Sequence, residues 1–540
     1  MPSTASDERL PGESDDEELP PAAGPSAPGP SFLDATDTTV IRIDDSPLVL
    51  PPSVDPDDDG PEPVVDERVP GESDDEVDDP RARRRRRAKR RARNHPRVII
   101  NMLACKCEVV AQAARSFGWR RASDDSEEFN ILWADSYISF DTLSSLNKYQ
   151  KANHFPGMSE LAKKNLLAKN LNRLAKALPA DFGFFPPSFN LPADLDALRA
   201  WVSPLKRKPT LIVKPDAGCQ GKGIFLTKSL DDLSQVEGCV AQQYLPSPLL
   251  VDGYKFDMRL YVVVVSCSPL RVLLFKEGLA RFCTEPYRAP TESNLGDTFM
   301  HLTNFAINKH HSEFEIDESG EGGSKRSLSS LMAYLRAAGY PADRIWLNIK
   351  AVIVKTLLAV QPQLRNTYHQ ILGDDNTGFS CFEILGFDIL LDRKARPWLL
   401  EVNHAPSFAC GSALDELIKR ELMRSTMRLL NPSPYHKKKY REELKREAME
   451  RAMQSRHTKG PKLSYEEKEQ LRAKQKQNAQ ENWAKHEERV LGNFERIYPP
   501  PEEETPAKAL QMYERVLAAA TAIYSSGPGR RAPTRAAAAA

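Results

Sequence analysis

The sequence predicts an α+β fold, and three patterns lead to that prediction. Runs such as Tyr254–Val265 alternate apolar and polar residues, as half-buried strands do. Two further runs of this kind, Phe382–Leu391 and Pro397–Val402, are joined by a charged turn and predict an antiparallel hairpin. Between Ser159 and about Leu178, apolar residues recur at helical spacing with lysines on the other side.

Other elements follow in chain order. Val98–Leu103 and Asn130–Trp133 are predicted strands, and Glu108–Gly118 is a predicted helix that stops at glycine. Ser159 is expected to cap one helix that runs to about Leu178. Arg271–Lys276 is predicted to return as a strand, with Glu277-Gly278 as a turn. The remaining predictions are a mobile insertion at Ser312–Lys325 and helices at Ile345–Val360, Leu414–Leu430, Tyr465–Glu495 and Thr505–Tyr524.

Charge is unevenly distributed, although the formal net charge is zero. Residues 1–80 hold 24 acidic and 3 basic residues and few aromatics, which predicts a disordered arm. Arg81–Asn94 holds 10 basic and no acidic residues. A nuclear localisation signal, a nucleic-acid patch and a contact for an acidic protein all fit this run. The lack of interleaved aromatics argues against stacking on single-stranded nucleic acid, so acidic partners are the default interpretation.

Eight scattered cysteines and the absence of a signal peptide predict a reducing cytosolic compartment. Cys105-x-Cys107 is too close and too isolated to predict a zinc site, so both are expected to be small buried residues. The most apolar run, Leu260–Phe275, is interrupted by polar residues and falls short of the ~20 residues that a membrane span needs. No membrane segment is therefore predicted.

A glycine-rich loop follows the predicted strand Leu211–Val213, which ends at Lys214. Glycines at 218, 221 and 223 allow backbone N–H groups to approach phosphate oxygens, and Lys222 adds positive charge. No helix follows the glycines, so this is neither a Walker A motif nor a Rossmann fingerprint. A glycine-rich hairpin turn is the alternative, and the neighbouring Lys214 favours a nucleotide.

Charged residues share one face of the strand that begins at Tyr254. Lys255, Asp257 and Arg259 lie at period two, which favours a wall that holds phosphates or a substrate carboxylate over a solvated face. In the hairpin, Glu401 and Asn403 also share a face, and an antiparallel partner can place Asp388 beside them. Oxygen ligands at a strand end suit magnesium, whose other positions go to water and phosphate oxygens.

Together these stretches resemble the tubulin tyrosine ligase-like family over about Val98–Met427. The motifs are KPDAGCQGKGIF, QQYL, DGYKFDMRLYV, EGLARF, HLTNFAINKH and GFDILLD…PWLLEVNHAPSF. The NKYQKANHFPGMSELAKKNLLAKN and GCQGKGIF stretches most resemble ciliary-type tubulin polyglutamylases. The resemblance implies an ATP-grasp fold with an N-terminal α/β domain (96–205), a central lid (206–254) and a C-terminal antiparallel-sheet domain (255–430). The disordered arm (1–95) precedes these domains, and a cationic helical microtubule-binding region (411–485) and a partly disordered tail (486–540) follow.

The resemblance also implies a role for each matching residue. ATP would be held by Lys214, Gln220, Gly221, Gln242, Gln243, Tyr244, Leu245, Lys255, Phe256, Asp257, Thr303 and Asn304. Mg²⁺ would be bound by Asp388, Glu401 and Asn403. The catalytic set would be Arg259, Glu401 and Lys255, with Arg259 stabilising the acceptor carboxylate and its phosphorylated form. Substrate residues would be Arg281, Phe305, Lys309 and Lys419 for the amino acid, and Gln220 and His404 for the acceptor peptide.

The implied activity is ATP-dependent ligation of free L-glutamate to glutamate residues of tubulin tails. Its implied location is the cytoplasm and cytoskeleton, including a ciliary axoneme or basal body. The chain departs from the polyglutamylases at Phe305 and Ala306, where hydroxyl-bearing residues usually stand, and this bears on glutamate affinity. A glycine ligase of the same family and a catalytically silent microtubule binder remain alternatives. The expected protein is a monomer, and initiation or elongation of chains and α- or β-tubulin preference stay open.

Overall fold

The computed structural model describes residues 97–216, 218, 221–374, 376–456, 464–501, 503 and 505–526. The helices are α1 Glu108–Ser116, α2 Phe140–Ser144, α3 Ser159–Ala162, α4 Lys164–Ala177, α5 Leu195–Val202, α6 Thr298–His301, α7 Phe305–Asn308, α8 Leu328–Ala337, α9 Ala342–Leu358, α10 Gln361–Leu372, α11 Ala413–Leu430, α12 Pro434–Arg456, α13 Tyr465–Val490 and α14 Ala507–Ser525. The strands are β1 Ile99–Asn101, β2 Arg120–Arg121, β3 Ile131–Leu132, β4 Lys151–Ala152, β5 Ser188–Leu191, β6 Leu211–Pro215, β7 Phe225–Thr227, β8 Cys239–Gln243, β9 Leu250–Val251, β10 Tyr254–Cys267, β11 Leu270–Phe282, β12 Lys325–Ser327, β13 Glu383–Leu391, β14 Pro397–Asn403 and β15 Phe494–Tyr498.

These elements form a mixed α/β structure with three sheets in the described part of the chain. A parallel sheet has the order β2-β1-β3-β4. A small antiparallel sheet has the order β5-β8-β6-β7. The large sheet has the order β12-β11-β10-β13-β14, with β15 added to β11 and β9 to β10.

Helices cover both faces of the large sheet, and the alternation along β10 shows why. Met258, Leu260 and Val262 pack into a core that includes α9 and α14. Tyr261, Val263 and Val265 pack into a second core formed with α1 and α11. Because successive side chains of a strand point to opposite faces, one apolar strand contributes to both cores.

The predicted hairpin is confirmed, since β13 and β14 pair antiparallel with Asp388 opposite Glu401. The single helix predicted from Ser159 is wrong, because Lys163 adopts an extended conformation (φ −82°, ψ 126°) that separates α3 from α4. This break brings the Lys164 Nζ within 2.9 Å of the Gly218 carbonyl oxygen. The helical periodicity of the sequence gives no sign of such a local break, because tertiary contacts impose it.

The predicted turn at Glu277-Gly278 is also wrong, because β11 continues through it. Gly278 lies where a Cβ would be 2.6 Å from the Arg259 carbonyl oxygen, so this glycine permits close strand packing rather than a turn. The charged helix predicted to Glu495 ends at Val490, and Glu495 belongs to β15 instead. Pairing of β15 with β11 supplies the backbone hydrogen bonds there.

The predictions for residues 1–95, including the run 81–93, and for residues 527–540 concern residues outside the described ranges. Within the described ranges no single helix is both long enough and apolar enough to cross a membrane. Helices α9 and α10, which are bent by 49° relative to each other, satisfy the length and composition criteria only when they are taken together.

Candidate functional site

The candidate site begins on one face of the large sheet, where charged residues lie opposite each other on neighbouring strands. Register places Arg259 of β10 opposite Asp388 of β13, and Asp257 of β10 opposite Arg281 of β11. Arg259 Nη2 donates to Asp388 Oδ2 at 3.0 Å, and Arg281 Nε donates to Asp257 Oδ1 at 2.7 Å. Arg281 Nη2 also lies 2.9 Å from Asp388 Oδ2. The two arginines therefore share one carboxylate.

This sharing sets the charge of Asp388. Burial favours its neutral form, but Arg259 and Arg281 outweigh burial and hold the pKa of Asp388 well below its ordinary value. The carboxylates of Asp257 and Asp388 raise the pKa of Arg281, although burial acts in the opposite direction. Asp388 is thus a fixed anion inside the protein.

Two more oxygen donors lie at the end of β14. Glu401 is paired with Asp388 across the hairpin, and the Asn403 Nδ2 donates to Glu401 Oε1 at 3.1 Å. Two carboxylates and an amide oxygen are hard donors of the kind that Mg²⁺ takes, so the donor chemistry of Asp388, Glu401 and Asn403 fits this ion.

A cleft of about 640 Å³ opens between this face and the small antiparallel sheet. Two buried lysines reach into it. Lys214 Nζ donates to Gln242 Oε1 at 2.7 Å, and Lys255 Nζ donates to the His301 carbonyl oxygen at 2.7 Å and to Tyr244 Oη at 2.9 Å. The cleft therefore combines an apolar wall with buried cations.

Burial lowers the pKa of Lys214 to about 8, although Glu401 and Asp388 oppose this shift. Burial also lowers the pKa of Lys255. Each ammonium lacks a carboxylate within salt-bridge distance among the described residues, so an anionic ligand in the cleft would supply the missing charge.

A second space of about 390 Å³ extends past the metal-ligand candidates to the glycine loop. It is lined by Lys164, Lys222 and Gly221, together with Glu401 and Asn403. Gly221 has a φ of +80°, and a Cβ there would lie 2.5 Å from Ile307 Cδ1, so only glycine fits without a shift. This loop is therefore held close to α7.

Most of the residues named from sequence line these two spaces: Lys214, Gly221, Gln242, Gln243, Tyr244, Leu245, Lys255, Asp257, Arg281, Thr303, Asn304, Asp388, Glu401 and Asn403. Arg259 joins them through Asp388. Phe256 does not, because its side chain points into the core and packs on Phe282 with ring centroids 5.4 Å apart. Gln220 lies outside the described residues.

The remaining substrate candidates do not line these two spaces, but β12 places Lys325, which contacts Phe305, opposite Arg281. Lys309 is exposed at the end of α7. Phe305 lies under Lys325, whose Nζ is 4.1 Å from the ring centroid. Lys419 Nζ lies 2.8 Å from Asp415 Oδ1, and Asp415 also binds Lys325 at 2.6 Å. His404 lines a separate pocket of about 650 Å³ with His154 and Cys107.

Sequence reasoning missed Lys164 and His301. Lys164 looked like one of many solvated lysines, and only the break before α4 directs it to the glycine loop. His301 opens the HLTN motif, and its Nδ1 lies 3.1 Å from Tyr244 Oη while its carbonyl binds Lys255. The polar motif was a usable signal for His301, whereas Lys164 lies in the NKYQKANHFPGMSELAKKNLLAKN stretch with nothing that distinguishes it from the neighbouring lysines.

Known proteins share much of this sequence. The chain is 44% identical to tubulin polyglutamylase ttll6 of Danio rerio over 400 residues, which cover 74% of this chain and 50% of that protein. It is 42% identical to tubulin polyglutamylase TTLL13 of Homo sapiens over 77% of this chain and 50% of that protein. For tubulin polyglutamylase TTLL7 of Xenopus tropicalis the identity is 37%, over 80% and 49% of the two chains.

The chain spans about half the length of these relatives. Residues 142–441, more than half of the chain, match the tubulin-tyrosine ligase family as a whole. This match contains β10, β11 and the β13–β14 hairpin that carry the charged face. By this match and by these identities, the chain belongs to the tubulin-tyrosine ligase family.

Proposed function

We propose that this protein is an ATP- and magnesium-dependent ligase that joins glutamate to glutamate residues in tubulin C-terminal tails. The observation that carries the proposal is the shared pairing of Asp388 with Arg259 and Arg281 at the edge of a cleft that contains two buried lysines. Relatives of this chain are named tubulin polyglutamylases, and their identity over most of this chain supports the same reaction here.

The proposed architecture is an ATP-grasp fold with the domain limits 96–205, 206–254 and 255–430. The cleft between the small antiparallel sheet and the large sheet supports it, because an ATP-grasp fold would hold its nucleotide between two such sheets. One strand of the small sheet, β5, comes from the first of these segments and pairs with β8 of the second. The lid therefore includes a strand from outside its sequence limits.

In this proposal ATP occupies the cleft, with its adenine edge at Gln242–Leu245 and its phosphates near Lys214 and Lys255. Asp257 and Thr303 face the ribose side, where Thr303 Oγ1 donates to Asp257 Oδ2 at 2.8 Å. Mg²⁺ is held by Asp388, Glu401 and Asn403. Bound ATP would supply the phosphoryl group that activates a carboxylate, and Mg²⁺ held by these three residues would neutralise phosphate charge.

The protein side chains position two carboxylates beside this site. Arg259 stabilises the acceptor carboxylate, and Arg281 holds the incoming amino acid with help from Lys309 and Lys419. Both arginines are already oriented by Asp388 and Asp257, so little side-chain entropy is lost when a substrate carboxylate binds. His404 and Gln220 are proposed to contact the acceptor peptide.

The proposed partner is the microtubule, recognised by a cationic helical region over residues 411–485. Residues 433–462 contain 10 basic and 4 acidic residues. Lys437 and Arg441 bind Glu128 at 2.7 Å and attach α12 to the N-terminal part. Lys438, Lys439 and Lys445 remain exposed on α12, where an acidic tubulin surface can approach. The cytoskeleton, including a ciliary axoneme or basal body, is the proposed location.

The test is transfer of labelled glutamate or labelled glycine to microtubules by the purified chain with ATP and Mg²⁺, read by mass spectrometry of tubulin tails. We expect glutamate transfer, and Glu401→Gln to reduce it by about 10²-fold or more because a metal ligand is lost. The exposed Glu237→Gln is the matched control and is expected to be fully active. Glycine transfer alone would replace the proposal with the glycine-ligase alternative, and unchanged transfer by Glu401→Gln would refute the assigned site.

A further inference from the structure

A cluster of sulfur and carboxylate donors lies away from the nucleotide cleft. Cys105 and Cys107 follow β1, Asp135 follows β3, and their three ligand atoms lie within 4.8 Å of one another. β1 and β3 are parallel neighbours, so the loops after them meet at the same edge of the sheet. From sequence the two cysteines were expected to be buried packing residues. They are half-buried, and a third donor comes from another loop.

Backbone hydrogen bonds hold the two loops together. The Lys106 N–H donates to Asp135 Oδ2 at 2.6 Å, and the Asp135 N–H donates to the Ala104 carbonyl oxygen at 3.0 Å. The Cys105 N–H donates to the Met102 carbonyl oxygen at 3.0 Å. These bonds orient the carboxylate and place the sulfur atoms before any ligand binds, as outer hydrogen bonds do around metal ligands.

The charges of the cluster favour the binding of a cation. Cys107 caps the nine-residue helix α1, whose positive end favours a thiolate. The sulfur atoms of Cys105 and Cys107 and a carboxylate oxygen of Asp135 lie within 4.8 Å of one another. Three groups that can each be anionic thus compete for one small space, and a bound divalent cation would relieve that competition.

The cluster is also reachable from solvent. Cys107 and Asp135 line the pocket of about 650 Å³ that contains His154 and His404. A second group, His154, Glu383 and His404, has a different character. His154 Nδ1 is 2.9 Å from Glu383 Oε1 and its Nε2 is 3.1 Å from the Ala134 carbonyl oxygen, so both ring nitrogens are used. In that group, His154 and Glu383 therefore already have hydrogen-bond partners.

We propose that Cys105, Cys107 and Asp135 form a binding site for a thiophilic divalent metal ion, with Zn²⁺ as the ion that suits the donors best. Two thiolates and one carboxylate provide three protein ligands, and water takes the fourth tetrahedral position. The thiol protons pass to solvent when the ion binds. The ion would link the loops after β1 and β3 and thereby stabilise the parallel sheet.

The test uses the full chain, reduced and freed of metal with a chelator, after a thiol titration has shown that all eight cysteines are reduced. Co²⁺ is then added as a spectroscopic probe. We expect one equivalent to produce a sulfur-to-cobalt charge-transfer band, and added Zn²⁺ to remove the band by displacing Co²⁺. Zn²⁺ alone is expected to raise the melting temperature of the chain.

Variants assign the ligands independently of ligase activity. Cys107→Ser is expected to abolish the band, and Asp135→Asn to weaken Co²⁺ affinity about tenfold or more. Cys410→Ser is the matched control, because Cys410 is exposed and is not a member of the cluster, and it is expected to bind Co²⁺ like the unaltered chain. A fully reduced, folded chain that gives no band overturns the proposal, as does a band that survives Cys107→Ser.

Discussion

Asp388 connects three parts of the candidate site at the level of single residues. It binds Arg259, lies 2.9 Å from Arg281 and is paired with Glu401 across the hairpin. The side chains of Asp388 and both arginines are largely buried. Removing one partner of a buried ion pair leaves the other charge without compensation, which costs more than the pair itself contributes. The structural role of Asp388 is therefore separable from its proposed role as a metal ligand.

Asp388→Asn is expected to lower the free energy of unfolding by about 3 kcal/mol, because Arg259 loses its anionic partner in a buried setting. Denaturant unfolding of the metal-free chain measures this. Asp196→Asn removes an exposed carboxylate that pairs with Arg199, and its effect should stay within about 0.5 kcal/mol. Equal losses of unfolding free energy in the two variants would contradict the stabilising role of the buried pair between Asp388 and Arg259.

In the proposed nucleotide site, Lys214 is expected to make ATP binding depend on pH. Its pKa in the cleft is about 8, so the ammonium form predominates below that pH and is lost as the pH rises through it. ATP–Mg²⁺ affinity, measured by calorimetry without amino acid or tubulin, is expected to fall between about pH 7 and about pH 9 as the cation is lost. Lys255, whose pKa burial also lowers, contributes in the same direction.

Lys214→Arg separates these two lysines. A guanidinium stays charged throughout this range, so the variant is expected to show a flatter pH dependence, even if its affinity at neutral pH is reduced by the changed shape. The pH dependence of affinity that remains in this variant is attributed to Lys255. An unchanged slope in Lys214→Arg would show that Lys214 does not contact the nucleotide charge.

At the level of elements, α14 fastens the end of the described chain onto the body of the protein. It packs against α9, α10 and α4, and its Met512, Tyr513 and Val516 are buried in the larger core. Arg515 donates three hydrogen bonds of 2.8–3.0 Å to Asp181, one from Nε and two from Nη2. Because the apolar face is buried, packing rather than helix propensity should hold this helix in place.

Met512→Ala is expected to weaken the docking of α14 by about 2 kcal/mol, since a buried methionine side chain leaves a cavity. Hydrogen–deuterium exchange of the α14 amides is expected to quicken by roughly 30-fold. Gln511→Ala, at an exposed neighbouring position, serves as the control and should leave exchange unchanged. Unchanged or slower exchange in both variants, as the high helix propensity of alanine would give, would show that propensity rather than packing controls α14.

For the whole molecule, the distribution of charge matters more than the net charge of zero. The chain places exposed lysines of α12 next to the N-terminal part, through the contacts of Lys437 and Arg441 with Glu128. The rings of Tyr149 and Tyr440 reinforce this contact at 5.6 Å. A long basic helix held to the body can steer an acidic partner toward the cleft, with an association rate that falls as salt rises.

Replacing Lys439 and Lys445 together by Glu is expected to weaken microtubule binding by roughly 1–2 kcal/mol, because exposed ion pairs contribute up to about 1 kcal/mol each. The salt dependence of cosedimentation should also become shallower. Replacing Lys206 and Lys208 by Glu changes the same charge in an exposed segment before β6, and binding should persist. Equal weakening in both double variants would favour a general charge effect over a defined surface.

Local patterns in the sequence predicted much of the fold, and the resemblance to the tubulin tyrosine ligase-like family supplied most of the residues that line the cleft. Period two placed Lys255, Asp257 and Arg259 on one face, and the β13–β14 hairpin placed Asp388 opposite Glu401, as found. These predictions held because strand periodicity and a short hairpin turn are local properties. The break at Lys163, the straight passage of β11 through Gly278 and the strand at Phe494–Tyr498 depend on distant partners, and the sequence missed them.

By itself the sequence determined the strand faces, the hairpin and the donor chemistry of the site, because each depends on residues that are close together in the chain. Only the tertiary structure decided which charges meet. Arg259 and Arg281 reach Asp388 from two strands, Lys164 reaches the glycine loop, and Asp135 joins two cysteines about 30 residues earlier. Such contacts follow from strand register and loop packing across the whole chain, and no short stretch of sequence specifies these.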